Sequence, residues 1–176
     1  MCASEMATYK PELDHEVRNA CPKCKYVNYN NAKPTASALI LNDEGKVLLV
    51  KRSWHPFKDF WDIPGGFVEG PEHPEDGCRR EVLEELGVTV ELDGFFGIEM
   101  DVYSDGKDES KELVSGEGVY TLNLYYIAHI VSGELMITDE IAGFEWFTLK
   151  EIEELIDHVA FSTNQKALRK LIAERS

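Results

Sequence analysis

The chain has 176 residues, 43 % of them hydrophobic and 29 % charged, and a formal net charge of -15 at pH 7. That length suits one main domain with a sizeable core, and the negative charge disfavours direct binding of nucleic acid or of an anionic membrane. No apolar run is long enough to span a bilayer, and residues 1–10 lack the basic start and apolar core of a signal peptide, so a cytoplasmic protein is expected.

Residues 1–20 show no sustained period and read as an irregular arm. Cys21-Pro-Lys-Cys24 follows, a C-x2-C knuckle with the spacing of half a tetrahedral zinc site. With Cys2 and Cys78 it does not make a secreted disulfide framework, and reduced thiols are expected. Further zinc ligands would have to come from Cys2, His15 or another subunit; the alternative is a knuckle folded without metal. Pro34 closes a polar linker, which divides the chain into an arm over residues 1–33 and a domain over residues 34–176.

Residues 35–41 and 46–52 read as a β-hairpin around Asn42-Asp43-Glu44-Gly45. Arg52 ends the second strand and is a candidate phosphate or base contact, since few positive charges lie so near the acidic stretch that follows. Trp61-Asp62-Ile63 is a short strand. Beyond it, His73 suits a helix N-cap, Pro74 the first helical position and Gly87 the C-terminal stop, which predicts a helix over Pro74–Leu86.

On that helix Cys78, Val82, Leu83 and Leu86 form an apolar stripe, and Glu81, Glu84 and Glu85 cluster on the adjacent face. Gly77 projects onto the acidic face, where its missing side chain leaves room for a metal or phosphate. Glu85, nearest the stripe, should be the least hydrated carboxylate. At roughly 5 Å, two partly desolvated carboxylates repel by about 3 kcal/mol at an effective dielectric of about 20, so the set calls for a cation. Glu72 and a backbone carbonyl at Gly65 or Gly66 would complete an all-oxygen shell of the kind magnesium prefers, with Arg80 placed to orient a carboxylate. A solvated acidic face is the plain alternative.

Residues 88–92 and 95–103 read as two strands, the second with Phe96, Ile98, Met100 and Val102 on one face. Tyr103, at the base of a polar loop over residues 104–117, is a candidate to stack on a nucleobase. Residues 118–131 read as the longest strand, with Thr121, Asn123, Tyr125 and His129 on its pocket-lining face. Glu140 lies in the next connection, before a strand at residues 144–147. Thr148-x-x-Glu151 and Ser162-x-x-Gln165 are capping boxes that open two terminal helices. Together these elements imply an α/β or α+β layered domain.

Residues 66–88 spell G-x5-E-x7-R-E-U-x-E-E-x-G-U, with U apolar. Seven specified Gly, Glu and Arg positions coincide by chance on the order of once in 10⁸ starts at about 7 % per residue, so the match is specific. The stretch resembles a Nudix box, and the resemblance implies an α/β/α sandwich with a mixed β-sheet over residues 34–176. It also implies a pyrophosphohydrolase dependent on Mg²⁺ or Mn²⁺, in which water cleaves a nucleoside diphosphate linked to another group. ADP-ribose, NADH, dinucleoside polyphosphates and modified nucleoside triphosphates all suit the box.

By the same resemblance Glu81 and Glu85 are metal ligands, with Glu84 in the same shell and the Gly66 carbonyl and Glu72 beside them. Arg80 and Glu84 join the catalytic set, and the general base is Glu81, through a water, or Glu140. Tyr103 is loosely similar to a tyrosine of dinucleoside polyphosphate hydrolases, and Arg52 remains a substrate contact. Cys21 and Cys24 resemble half of the zinc ribbon of NADH pyrophosphatases, which makes Zn²⁺ a second candidate cofactor. The partners expected are a small nucleotide diphosphate, with neither nucleic acid nor membrane; a homodimer is compatible. Two rivals share the fold: a nucleotide sensor that binds without cleaving, and an isopentenyl diphosphate isomerase.

Overall fold

The structure is a computed structural model that describes residue 2, residues 4–103 and residues 119–175. It divides into two compact units, Met1–Asn31 and Ala32–Ser176. In the first, the expected irregular arm is replaced by an antiparallel sheet of β1 (Ala7–Tyr9), β2 (Arg18–Ala20) and β3 (Val27–Asn28), in that order. Strands of two or three residues place at most two side chains on a face, too few for a period to show in sequence.

The second unit runs β4 (Lys33–Ile40), β5 (Val47–Arg52), β6 (Trp61–Asp62), β7 (Gly65–Phe67), α1 (Pro74–Leu86), β8 (Val88–Tyr103), β9 (Val119–Gly133), β10 (Ile141–Phe147), α2 (Leu149–Leu155), a 3-10 turn (Ile156–His158) and α3 (Ser162–Arg175). Its strands form two sheets, ordered β7-β4-β9-β8 and β10-β5-β6. The first sheet is mixed, because β4 runs parallel to β9 and antiparallel to β7. The expected hairpin of β4 and β5 does not form. The turn is present, with the Asn42 N–H bonded to Lys46 O, but the strands meet only at the bridge Leu41–Val47 and then enter different sheets. Both edges of each strand are taken by other strands, and both faces are apolar, as suits strands buried on two sides.

Successive residues of these strands point to opposite layers. Ala36, Ala38, Ile40, Leu48 and Val50 pack with Cys78, Val82 and Leu86 of α1, whereas Leu39, Leu41, Val47 and Leu49 pack with Ile152 of α2 and Leu168 and Leu171 of α3. Each fully buried leucine or valine contributes roughly 1.5–3 kcal/mol, and the two cores hold the helices on either side as an α/β/α sandwich. Leu83, placed on the buried stripe from sequence, is 51 % exposed, because the sheet contacts a stripe narrower than the heptad pattern suggests.

Residues 88–103 form one strand rather than two. Register shifts at Thr89/Val90, Leu92/Gly94 and Phe95/Gly97 absorb the polar interruption at Asp93-Gly94 without ending the pairing with β9. With 16 residues β8 exceeds the 15 of β9, which had been expected to be the longest strand. Thr148 and Glu151 make the reciprocal capping box of α2. The second box does not form. Ser162 is the first residue of α3, its hydroxyl donates to Asp101 Oδ2 at 3.3 Å, and the Gln165 N–H bonds to Phe161 O.

Candidate functional site

Helix α1 is built as its sequence directs. His73 caps it by accepting from the Glu75 N–H, and Gly87 ends it at φ 71°, a left-handed conformation that glycine adopts without Cβ strain. Burial of Cys78, Val82 and Leu86 then turns the carboxylates of residues 81 and 85 toward Gly65 and Gly66 of β7.

Arg80 gathers the acidic face. Its Nε and Nη2 donate to the two oxygens of Glu72 at 3.1 and 2.7 Å, and Nη1 donates to both Glu81 Oε1 and Glu84 Oε2 at 2.9 Å. Nη2 also reaches the carbonyl of Phe67 at 3.1 Å. The guanidinium beside Glu72, with the Glu69 N–H, holds that carboxyl down to about 2. Glu72, expected as a fourth metal ligand, is thus placed as a brace for Arg80. The missing side chain of Gly77 makes room for Glu72 itself, since a Cβ there would lie 2.8 Å from Glu72 Oε1.

Glu85 has a different environment. Its Oε2 accepts the Gly65 N–H at 3.0 Å. Burial pushes its carboxyl well above the usual range, the nearby Asp62 charge adds to this, and the Gly65 N–H opposes it. Glu81 is shifted upward by burial too, against the pull of Arg80. Of Glu81 and Glu85, the latter is raised further, with burial the first cause in both.

Gly66 faces Glu81 so closely that an added Cβ would lie 2.5 Å from Glu81 Oε2. Gly66→Ala therefore forces the Glu81 carboxylate aside. Because the obstacle is the free end of a flexible side chain, we expect less than about 1 kcal/mol of lost stability, with turnover down roughly ten- to a hundredfold. Urea unfolding and steady-state kinetics measure the two effects, and equal activity in the variant would detach the Gly66 to Glu81 approach from catalysis.

Two cavities meet at a shared wall of Arg52 and Asp62. One, of about 210 Å³, is lined by Thr35, Gly66, Asp101, Thr121, Asn123 and Thr163 among others. Thr121 and Asn123 come from the face of β9 expected to line a pocket. The other holds Glu85 and Glu140. Arg52, expected as a substrate contact, donates from Nη1 to Asp62 Oδ2 at 2.7 Å and from Nε to Pro56 O at 2.9 Å, and its guanidinium lies 5.0 Å from the Phe161 ring centroid.

Asp62, which the sequence reading passed over, is buried and also accepts from the Ile63 N–H and Asn164 Nδ2. Its only sequence signal is a charge inside an apolar strand. Glu140 is brought to the helix by Thr138, whose hydroxyl donates to Glu85 O at 3.0 Å and accepts the Glu140 N–H. Tyr103 ends β8, but its side chain and residues 104–118, including the expected gating loop, lie outside the described residues.

The oxygen donors of Glu81, Glu84, Glu85 and Glu140 fit a hard divalent cation, and the raised Glu85 carboxyl, given one N–H, is the member that gains most from a positive partner. Glu81 and Glu84 are held by Arg80 and Glu85 by the Gly65 N–H, so these carboxylates are not closed into a tight cage. Magnesium keeps several waters and commonly takes one or two carboxylates plus substrate phosphates, so such an open arrangement suits it.

The sequence model of the NUDIX domain matches residues 31–170. An ADP-ribose pyrophosphatase of Methanocaldococcus jannaschii is 31 % identical over 120 residues, 68 % of this chain and 64 % of that protein. The NAD-capped RNA hydrolase NudC of Pseudomonas aeruginosa is 30 % identical over 143 residues, 81 % of this chain and 45 % of its own length. The chain thus spans less than two thirds of these relatives. Among solved structures, a NUDIX hydrolase from Nitrosomonas europaea superposes with a TM-score of 0.78 at 28 % identity, covering 99 % of this chain and 89 % of that one.

Proposed function

Since the chain belongs to the Nudix family, we propose that it is a divalent-metal-dependent pyrophosphohydrolase of nucleoside diphosphate derivatives. The observation that carries the reading is the complete set of Arg80, Glu81, Glu84 and Glu85 on one helix, with a raised Glu85 carboxyl lining a cavity that Glu140 also lines. Glu81 and Glu85 would hold the cation, Mg²⁺ or Mn²⁺, with Glu84 and the Gly66 carbonyl beside them. When bound it neutralises the oxygens of the phosphoanhydride and lowers the barrier to attack.

In this reading Arg80 orients Glu81 and Glu84 and opposes the upward shift that burial gives Glu81, with Glu72 fixing Arg80 from behind. Glu140 is the general base. Its carboxylate has no hydrogen bond or ion pair among the described residues, it is exposed, and it shares a cavity with Glu85, whereas Glu81 is held by Arg80. Water attacks phosphorus, its proton passes to Glu140, and the P–O anhydride bond breaks with its electron pair leaving on the departing phosphate. The cavity lined by Thr35, Asp101 and Asn123 receives the nucleoside or its linked group, through hydroxyl, carboxylate and amide contacts.

An RNA 5′ end capped by a nucleotide contains the same anhydride, and the Pseudomonas relative bears the name of such an enzyme. The net charge of -15 still opposes extended backbone contact, so small diphosphates are the proposed substrates. No helix among the described residues is long and apolar enough to cross a membrane. Release of nucleotide and phosphate from ADP-ribose, NADH, dinucleoside polyphosphates, nucleoside triphosphates and a capped RNA, with and without magnesium, tests the proposal. Metal-dependent release from one of the small compounds supports it. Tight binding with no product from any of them would replace hydrolysis by sensing, and cleavage of the capped RNA alone would replace the small-molecule assignment.

A further inference from the structure

Within the Met1–Asn31 unit, Cys21 opens the loop that joins β2 to β3. The loop is closed by the Cys21 N–H bonding to Tyr26 O at 2.7 Å and the Lys25 N–H bonding to Cys21 O at 3.0 Å. Lys25 takes φ 63°, a left-handed conformation that costs a non-glycine residue about 1 kcal/mol or more. This tight turn brings Cys24 back over Cys21, and the Cys24 N–H donates to Cys21 Sγ at 3.4 Å. Cys2 arrives from the start of the chain with its sulfur 3.9 Å from Cys21 Sγ. All three sulfurs lie within 4.8 Å of one another, and they are the one such group of three metal-ligating side chains among the described residues.

These spacings discriminate between chemistries. A disulfide needs about 2.05 Å between sulfurs. Two thiolates on one tetrahedral zinc, at about 2.3 Å each, lie roughly 3.8 Å apart, close to the separation of Cys2 and Cys21.

A second observation is independent of the sulfurs. Among the described residues of this unit only Ala20 and Cys21 are buried, while Leu13, Val17, Tyr26 and Tyr29 are exposed. A sheet this small, without an apolar core, lies in the size range where a metal or disulfide usually supplies the stability. We propose that Cys2, Cys21 and Cys24 bind one zinc ion through three thiolates, with a solvent ligand in the fourth position, and that this ion holds β1, β2 and β3 together. Binding releases the thiol protons, and no oxidant or reductant takes part. The inference goes beyond the proposed hydrolysis and does not depend on it.

The test uses the full chain, produced with zinc supplied and desalted without chelator. Metal analysis is expected to find about one zinc per chain, falling to less than about a tenth of that in Cys2→Ser and Cys24→Ser. Cys78→Ala, which removes a buried thiol of α1, and Glu85→Gln, which alters the carboxylate site, both retain it. Replacement by cobalt(II) gives a thiolate charge-transfer band in the wild type that is lost in Cys24→Ser, which separates thiolate ligation from zinc resting on carboxylates. Zinc content unchanged in the two serine variants, absence of the cobalt band, or a purified wild type carrying a Cys2–Cys21 disulfide would each overturn the proposal.

Discussion

Glu85→Gln is expected to lower turnover on the order of 10³-fold, the loss of about 4 kcal/mol of charge stabilisation at the reacting phosphate. The amide keeps the length of the side chain and can still accept the Gly65 N–H, so the helix and its loop stay joined. Stability should move in the opposite direction. Glu85 has a folded-state pKa raised above that of an unfolded glutamate, near 4.3, so its stabilising contribution is complete below that pH and is lost as pH rises through the raised value.

The metal-free wild type should therefore lose melting temperature as pH rises above the unfolded glutamate range, and Glu85→Gln should be the more stable protein at pH 8, with a shallower slope. Magnesium should raise the wild-type melting temperature at pH 8 and leave the variant nearly unchanged. Thermal melts across pH, with and without magnesium, measure this. An active variant, or identical slopes in the two proteins, would remove Glu85 from the metal site.

Arg52→Ala is expected to cost roughly 3–5 kcal/mol of stability, the penalty for leaving a buried carboxylate without its cation. Asp62 is 6 % exposed, and burial raises its carboxyl even with Arg52 in place. Without the guanidinium, Asp62 takes up a proton more readily, so the loss should shrink as pH falls. Arg52→Met with Asp62→Asn, which removes the charge as well as its partner, should recover much of the difference. Urea unfolding at two pH values reads both effects. A loss below about 1 kcal/mol would mean that Asn164 and the Ile63 N–H suffice for Asp62, freeing Arg52 for the substrate contact that its sequence position suggested.

These two variants fall on opposite sides of what could be read without coordinates. Helix α1 was legible to its ends because its signals are local: the cap at His73, Pro74, the stop at Gly87 and a side-chain period that places Glu85 nearest the core. The acidic set with Arg80 was legible for the same reason, since residues three and four apart on a helix must be neighbours. The capping box at Thr148 belongs with them, whereas the similar pattern at Ser162 was overridden by Asp101, a residue 61 positions away.

Only the tertiary structure decided the rest. Turn residues at Asn42–Gly45 fix a reversal of the chain but not which strands then pair, and competition for the edges of β4 and β5 by β7, β9, β6 and β10 sent them into separate sheets. Asp62 became a buried partner of Arg52 through that pairing, because β6 docks on β5 and aligns Lys51 with Trp61 and Val50 with Asp62. Glu140 reached the Glu85 cavity by way of Thr138 and the Glu85 carbonyl, a link across 53 residues. Cys2 met Cys21 and Cys24 because β1 pairs with β2. Local hydrogen bonding and side-chain period are written in neighbouring residues, while strand partners, buried ion pairs and loop anchors are set by contacts that local spacing does not specify.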